Sequence, residues 1–267
     1  MPFNQSILSA AVRAAAIAAL LLAPVVSPAH ADALDGIMQS KVIKIAVPND
    51  FAPFGFVGKD MQAQGYDIDM ANLIGKALGV KTELVTVTSA NRIPYLQTHK
   101  ADLVISSLGK NAEREKAIDF SEPYAPFFSA VYSTKDVAIS KLADLSGKTI
   151  GAARGTIEEQ ELTKTAPADA IIKRFEDNNA TISAFVSGQV DIVATGNTVA
   201  AVIAERTPAR APVMKFLIKN SPCYVGMNKD EPKLKAKVNE IIAKAKADGT
   251  LAKLSEKWLK QPLPPGF

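Results

Sequence analysis

IPYLQTHKADLVISS, residues 93–107, reads as a helix, a tight turn and a buried strand, and ISAFVSGQVDIVATG, residues 182–196, repeats it without a gap. Ile93 matches Ile182, and Asp102-Leu103-Val104 matches Asp191-Ile192-Val193. The first unit ends in Ser106-Ser107 and the second in Thr195-Gly196. Two copies of one supersecondary unit predict two similar lobes. Ligands of open α/β sheets bind beyond the carboxyl ends of the strands. Facing lobes would therefore bring those four residues to one cleft.

The flanking chain has the same character. VIKIAV (42–47), VKTELVTV (80–87), KTIGAA (148–153), AIIKRF (170–175) and VMKFLI (213–218) read as strands. Helical spacing lies between them at 66–79, 156–164, 178–187 and 197–205. Strands alternating with helices predict an α/β architecture with largely parallel sheets. In the first of these helices Asp67 is the expected N-cap and Gly79 the terminator.

The chain has 267 residues, 48% hydrophobic and 22% charged, which excludes collagen-like and disordered classes. His30, His99 and Cys223 are the whole complement of histidine and cysteine, so no metal site and no internal disulfide are expected. Cys223, in FLIKNSPCYVGM, reads as a small buried apolar side chain. Residues 1–31 carry Arg13, an apolar run from Ala14 to Ala23, Pro24, and the small-x-small ending Ala29-His30-Ala31. That run is about half of the ~20 residues a membrane span needs, so a cleaved signal peptide is expected. His30 would leave with it, and no Cys stands there to take a lipid. The formal charge of +4 falls to +3 without Arg13. Residues 229–260 hold nine Lys against five acids, with Leu234, Val238 and Ile241 or Ile242 on one helical side, so the Lys residues read as a solvated face. No basic cluster has interleaved stacking aromatics, so no nucleic-acid partner is expected.

DLVISSLGKNAEREKAIDFS (102–121) is the richest segment for chemistry. A strand end is followed by Ser106, Ser107 and Gly109, then by a short helix carrying Arg114. Hydroxyls, backbone N–H groups and a planar guanidinium together make a carboxylate receptor. Standing between Glu113 and Glu115, Arg114 also fits a surface ion pair. In NDFAPFGF (49–56), Phe51, Phe54 and Phe56 fit either an apolar ligand slot or ordinary core. In GAARGTIEEQ (151–160), Thr156 can cap a helix whose open N–H groups attract anions. The Lys-Ser/Thr ending of a phosphate loop is missing there.

Taken in order, seven segments resemble the periplasmic solute-binding proteins of polar-amino-acid ABC transporters, family 3. They are FAPFGF (51–56), GYDIDMANLIGKALG (65–79), NRIPYLQTHKADLVIS (91–106), the stretch from Glu113 to Tyr124, LSGKTIGAARGT (145–156), DNNATISAFVSGQVD (177–191) and ADGTLAKLSEKWL (247–259). The resemblance implies a two-lobed periplasmic-binding-protein-like fold of type II. Two hinge-crossing strands should fall near Phe128 to Tyr132 and Ser221 to Val225. Lobe 1 would be 33–127 plus 224–267, and lobe 2 would be 128–223. It further implies a monomeric periplasmic protein with no cofactor and no enzymatic activity, which closes on a small-molecule ligand and delivers it to an ABC transporter permease. By family role, Arg114 binds the ligand's α-carboxylate, helped by Thr156 and the N–H groups of Ser107 and Gly109. Phe51 packs on the ligand, and Ser89 and Ser106 line the pocket.

One position departs from the family. Where its members place an Asp for the α-ammonium, this chain has Thr195-Gly196-Asn197. Either Glu158 supplies that charge or the ligand lacks an amino group at that place, because a buried ammonium needs an anion. Similar scaffolds include cyclohexadienyl dehydratases, so an enzyme with Glu158 or Asp50 as general acid is the alternative. A sensor or adhesin module is a third reading, and a sensor would carry a membrane-spanning signalling region.

Overall fold

The computed structural model describes residues 32–267. The expected signal peptide, with His30, lies outside the described residues. None of the described helices is long and apolar enough to cross a membrane.

Helix α1 (Ala33–Ser40) is capped by the Asp32 carboxylate and leads into β1 (Val42–Val47). A small antiparallel flap of β2 (Asp50–Phe51), β3 (Gly55–Val57) and β4 (Ala63–Gln64) follows. Then come α2 (Tyr66–Leu78), β5 (Lys81–Thr86), α3 (Arg92–Gln97), β6 (Leu103–Leu108), α4 (Ala112–Ala117) and β7 (Asp119–Ala125). The chain enters a second sheet with β8 (Phe128–Ser133), β9 (Thr149–Ala153), α5 (Ile157–Thr165), β10 (Ile171–Phe175), α6 (Asn178–Val186), β11 (Ile192–Gly196), α7 (Asn197–Arg206) and β12 (Val213–Asn220). It returns through β13 (Cys223–Met227) and ends in α8 (Pro232–Ala247) and α9 (Thr250–Leu254). The architecture is α/β.

The two sheets have the same plan. The first runs β5-β1-β6-β13-β7 and the second β10-β9-β11-β8-β12. In each, three parallel strands are followed by a fourth that runs against them and a fifth that pairs antiparallel with the fourth. Leu103 faces Ile45 in the first sheet, and Ile192 faces Ile150 in the second. Leu103 and Ile192 are matched positions of the sequence repeat, so the repeat carries its strand register with it. Both strands are buried over nearly their whole length, as parallel strands covered on both faces must be. Leu234, Val238, Ile241 and Ile242 of α8 are buried, and its lysines keep to the other side.

Residues 126–127 carry the chain from the first sheet to the second, and residues 221–222 bring it back. Asp67 does not cap α2. The N-cap is Gly65, whose φ of +136° no side chain would suit, and whose Cβ would strike the Phe54 carbonyl. Two residues further in, Asp67 is wholly buried and turned toward β6 and β7. Gly79 ends the helix in the left-handed region as expected. Cys223 is buried in β13.

Candidate functional site

Arg114 is 4% exposed. The Asn111 side chain accepts from its backbone N–H and starts α4, which fixes where the guanidinium begins. Nη1 donates to the Gly109 carbonyl at 2.7 Å. Nη2 reaches the second sheet's half and donates to the Gly155 carbonyl at 2.8 Å. A second guanidinium arrives from α3. Arg92 is 5% exposed and donates to the carbonyls of Ser89 at 3.0 Å, Ser106 at 2.9 Å and the same Gly155 at 3.0 Å. Gly155 has φ +73°, and a Cβ there would lie 2.5 Å from the Ala90 Cα, so only glycine lets the carbonyl come this close.

Burial, and then the neighbouring Arg92, push the Arg114 pKa down to about 9. Burial also lowers Arg92, while Glu158, Asp50 and Asp67 pull it back up. Both remain cationic at neutral pH. Glu158, 5% exposed, sits in the first turn of α5, where the helix dipole favours a negative charge. Its Oε1 accepts from the Ser129 hydroxyl at 2.8 Å. Two cations and one anion therefore face one narrow cleft. An adjoining space shares Phe51, Thr156, Glu158 and Asn178 with it and extends to Thr195. Small-molecule sites are concave and carry a few fixed polar groups of this kind.

Seven of the sequence-predicted residues line this cleft: Phe51, Ser89, Ser107, Gly109, Arg114, Thr156 and Glu158. The Ser107 N–H, expected for a ligand carboxylate, donates instead to Asp67 Oδ2 at 2.7 Å. That bond accompanies a left-handed backbone, φ +40°, at Ser107. Thr156 caps α5 by accepting from the Glu159 N–H. Of the three phenylalanines, Phe51 alone lines the cleft. Phe54 stacks beneath it at 5.9 Å, and Phe56 packs edge-on against Trp258. Ser106, Gly196 and Asn197 stand outside the lining. Ser106 turns its carbonyl to Arg92, and Asn197 accepts from the Phe128 N–H at 3.3 Å. Above Gly196 lies the Phe127 ring, where a Cβ would come within 2.1 Å of Cζ. The space that a side chain at 196 would need is thus filled.

Sequence reasoning missed Arg92, Phe127, Ser129, Ile157, Asn178 and Ser221, all in the lining. Arg92 left one signal, because no acid stands within four residues of it to pair on the surface. The two halves also touch beside the cleft. Asp50 Oδ2 accepts from the Asn178 N–H at 2.8 Å and its side-chain amide at 3.0 Å. Asn111 donates to Gln160 at 2.9 Å, and Lys164 pairs with Glu113 at 2.9 Å. Among the described residues no group of three or more His, Cys, Asp or Glu could hold a metal.

The model of the bacterial extracellular solute-binding proteins, family 3, matches residues 43–261. The L-cystine-binding protein TcyJ of Escherichia coli (strain K12) is 26% identical over 227 residues, covering 84% of this chain and 85% of that protein. The ABC transporter arginine-binding protein 1 of the same strain is 30% identical over 234 residues, covering 85% and 94%. A solved structure, the ancestral amino acid-binding protein AncCDT-1, a precursor of cyclohexadienyl dehydratase, superimposes with a TM-score of 0.78 at 35% identity. It covers 85% of this chain and 99% of that one.

Proposed function

The chain belongs to the bacterial extracellular solute-binding proteins, family 3, and from that premise we propose that it is the periplasmic receptor of an ABC importer for an amino acid or a related small carboxylate. Residues 33–127 plus 224–267 form lobe 1 and 128–223 form lobe 2. Residues 1–31 direct export and are then removed. The protein works as a monomer and hands its ligand to a membrane permease.

One observation carries the reading: two buried guanidiniums from the first sheet's half converge on one carbonyl of the second, at the edge of a cleft. A buried cation with only carbonyl partners is completed by an anion. A ligand carboxylate on Arg114 sits where that guanidinium already reaches the Gly155 carbonyl of the other half, Phe51 packs on the ligand's apolar part, and Glu158 takes an ammonium. The ligand touches both lobes only when they are closed, so it shifts the population toward the closed form. A micromolar constant corresponds to about −8 kcal/mol, within the ceiling of about −1.5 kcal/mol per atom for ~10 heavy atoms.

A thermal-shift panel of amino acids, their deaminated analogues and small dicarboxylates tests this. At least one should raise the melting temperature of the wild type. Arg114→Ala should abolish that rise, and a rise that survives the substitution rejects the carboxylate clamp. Glu158, buried in the cleft beside Ser129, is what favours the enzymatic alternative. Incubation with prephenate or arogenate separates the two, since product formed at enzymatic rates would replace the transport reading.

A further inference from the structure

Among the described residues, two buried side-chain oxygens have no hydrogen-bond partner, Thr198 Oγ1 and Ser221 Oγ. Thr198 lies within α7 and away from the cleft lining. Ser221 is 4% exposed, lines the cleft, and stands in the two-residue return between the sheets. Its backbone N–H donates to the Phe127 carbonyl at 3.2 Å. The return connection is thereby tied to the outward one, and the position of the Ser221 side chain is set by both.

The hydroxyl lies against Gly109. A Cβ on Gly109 would fall 2.5 Å from Ser221 Oγ and 2.5 Å from Ile157 Cδ1. The Gly109 carbonyl is the one that accepts from Arg114 Nη1. The unpartnered hydroxyl therefore sits beside the turn that holds the guanidinium. Two other hydroxyls of the cleft are already engaged, Ser129 on Glu158 and Thr156 on the Ala153 carbonyl. A buried hydroxyl left unpaired is unfavourable, and a native fold keeps one where something else completes it.

We infer that Ser221 is a ligand-contacting residue whose hydroxyl donates to the carboxylate gripped by Arg114. This rests on the solute-binding reading above. The contact comes from the return connection and not from either sheet, so it forms only when the crossings and the Arg114 turn stand together. A ligand with no acceptor at that end forfeits it.

The test compares purified wild type with Ser221→Ala by calorimetric titration and by ligand-free thermal melts. The probes are L-cystine, L-arginine, L-glutamine, L-glutamate and 2-oxoglutarate. The variant should melt at or above the wild-type temperature without ligand, because no protein hydrogen bond is lost. Its Kd for whichever probe the wild type binds should rise about ten-fold. An unchanged Kd overturns the role of Ser221 and leaves the solute-binding reading standing. A lowered ligand-free melting temperature also overturns it, by giving the hydroxyl a partner inside the protein. A wild type that binds none of these five and no member of the wider thermal-shift panel overturns the reading beneath, and the inference with it.

Discussion

Arg114 and Arg92 show how differently two arginines of one site reveal themselves. Arg114 was legible because it follows a strand end rich in hydroxyls and glycine. Its flanking Glu113 and Glu115 suggested a surface pair, yet Glu113 pairs with Lys164 and Glu115 with Lys110, which leaves the guanidinium for the interior. Arg92 was not legible, since its carbonyl partner in the second half stands 63 residues away in the chain. Asp67 is the residue whose chemistry changed most between sequence and fold. Burial pushes its pKa up to about 7, against the lowering pull of the Tyr124 and Ser107 hydrogen bonds and the Arg92 charge. Tyr66 and Cys223 pack nearby, and both are themselves raised, chiefly by burial. The unfolded chain releases the proton near pH 4, so between about pH 4 and 7 the folded state holds a proton that the unfolded state has lost. The associated stability is fully present below that window and is lost as pH rises through it. Melting curves of wild type and Asp67→Asn from pH 4 to 8 should show the wild type losing ground to the variant as pH rises. A constant gap between the two would mean that Asp67 does not titrate there.

Local pattern decides some elements of the fold, and distant partners decide others. Thr156 was expected as a helix cap, and it is one. It accepts from the Glu159 N–H at 3.2 Å and donates to the Ala153 carbonyl at 2.8 Å. Because α5 starts on the cleft wall, the cap also fixes where Glu158 stands. Thr156→Ala should cost about 1 kcal/mol in urea unfolding, and Thr156→Ser well under half of that. Equal losses from both substitutions would show that the methyl group, and not the hydroxyl, holds the turn. Helix α2 starts from Gly65 and not from Asp67, because the Asp that looks like a cap is drawn into the core by Ser107 and Tyr124. Strands β7, β8 and β13 left little trace in alternation. Each is antiparallel and mostly buried, so its sequence lacks the clean period that a solvated face would print.

On the scale of the whole molecule, one apolar cluster runs through both halves, and polar contacts around the cleft add to it. Besides the Gly155 carbonyl with its two arginine donors, one oxygen of Asp50 accepts two hydrogen bonds from Asn178 at the start of α6. A hydrogen bond to a charged group contributes about 1.5–3 kcal/mol. Asp50→Ala should therefore favour separation of the halves, enlarge the ligand-free particle in small-angle scattering, and weaken ligand binding by up to about ten-fold through loss of the competent form. Identical scattering from both proteins would show that Asp50 does not latch them. Periodicity, the duplicated helix-turn-strand and the glycine and hydroxyl residues after the strands determined by themselves the α/β class, the two-sheet plan and the turn that carries Arg114 to the cleft. Those features depend on neighbours a few residues apart, which a linear chain displays. Only the tertiary structure decided that Arg92 joins Arg114, that the Phe127 ring fills the space above Gly196, and that the Ser107 N–H belongs to Asp67. Each of these is a contact between segments separated by tens of residues, and no local pattern encodes which distant group will occupy a given point in space.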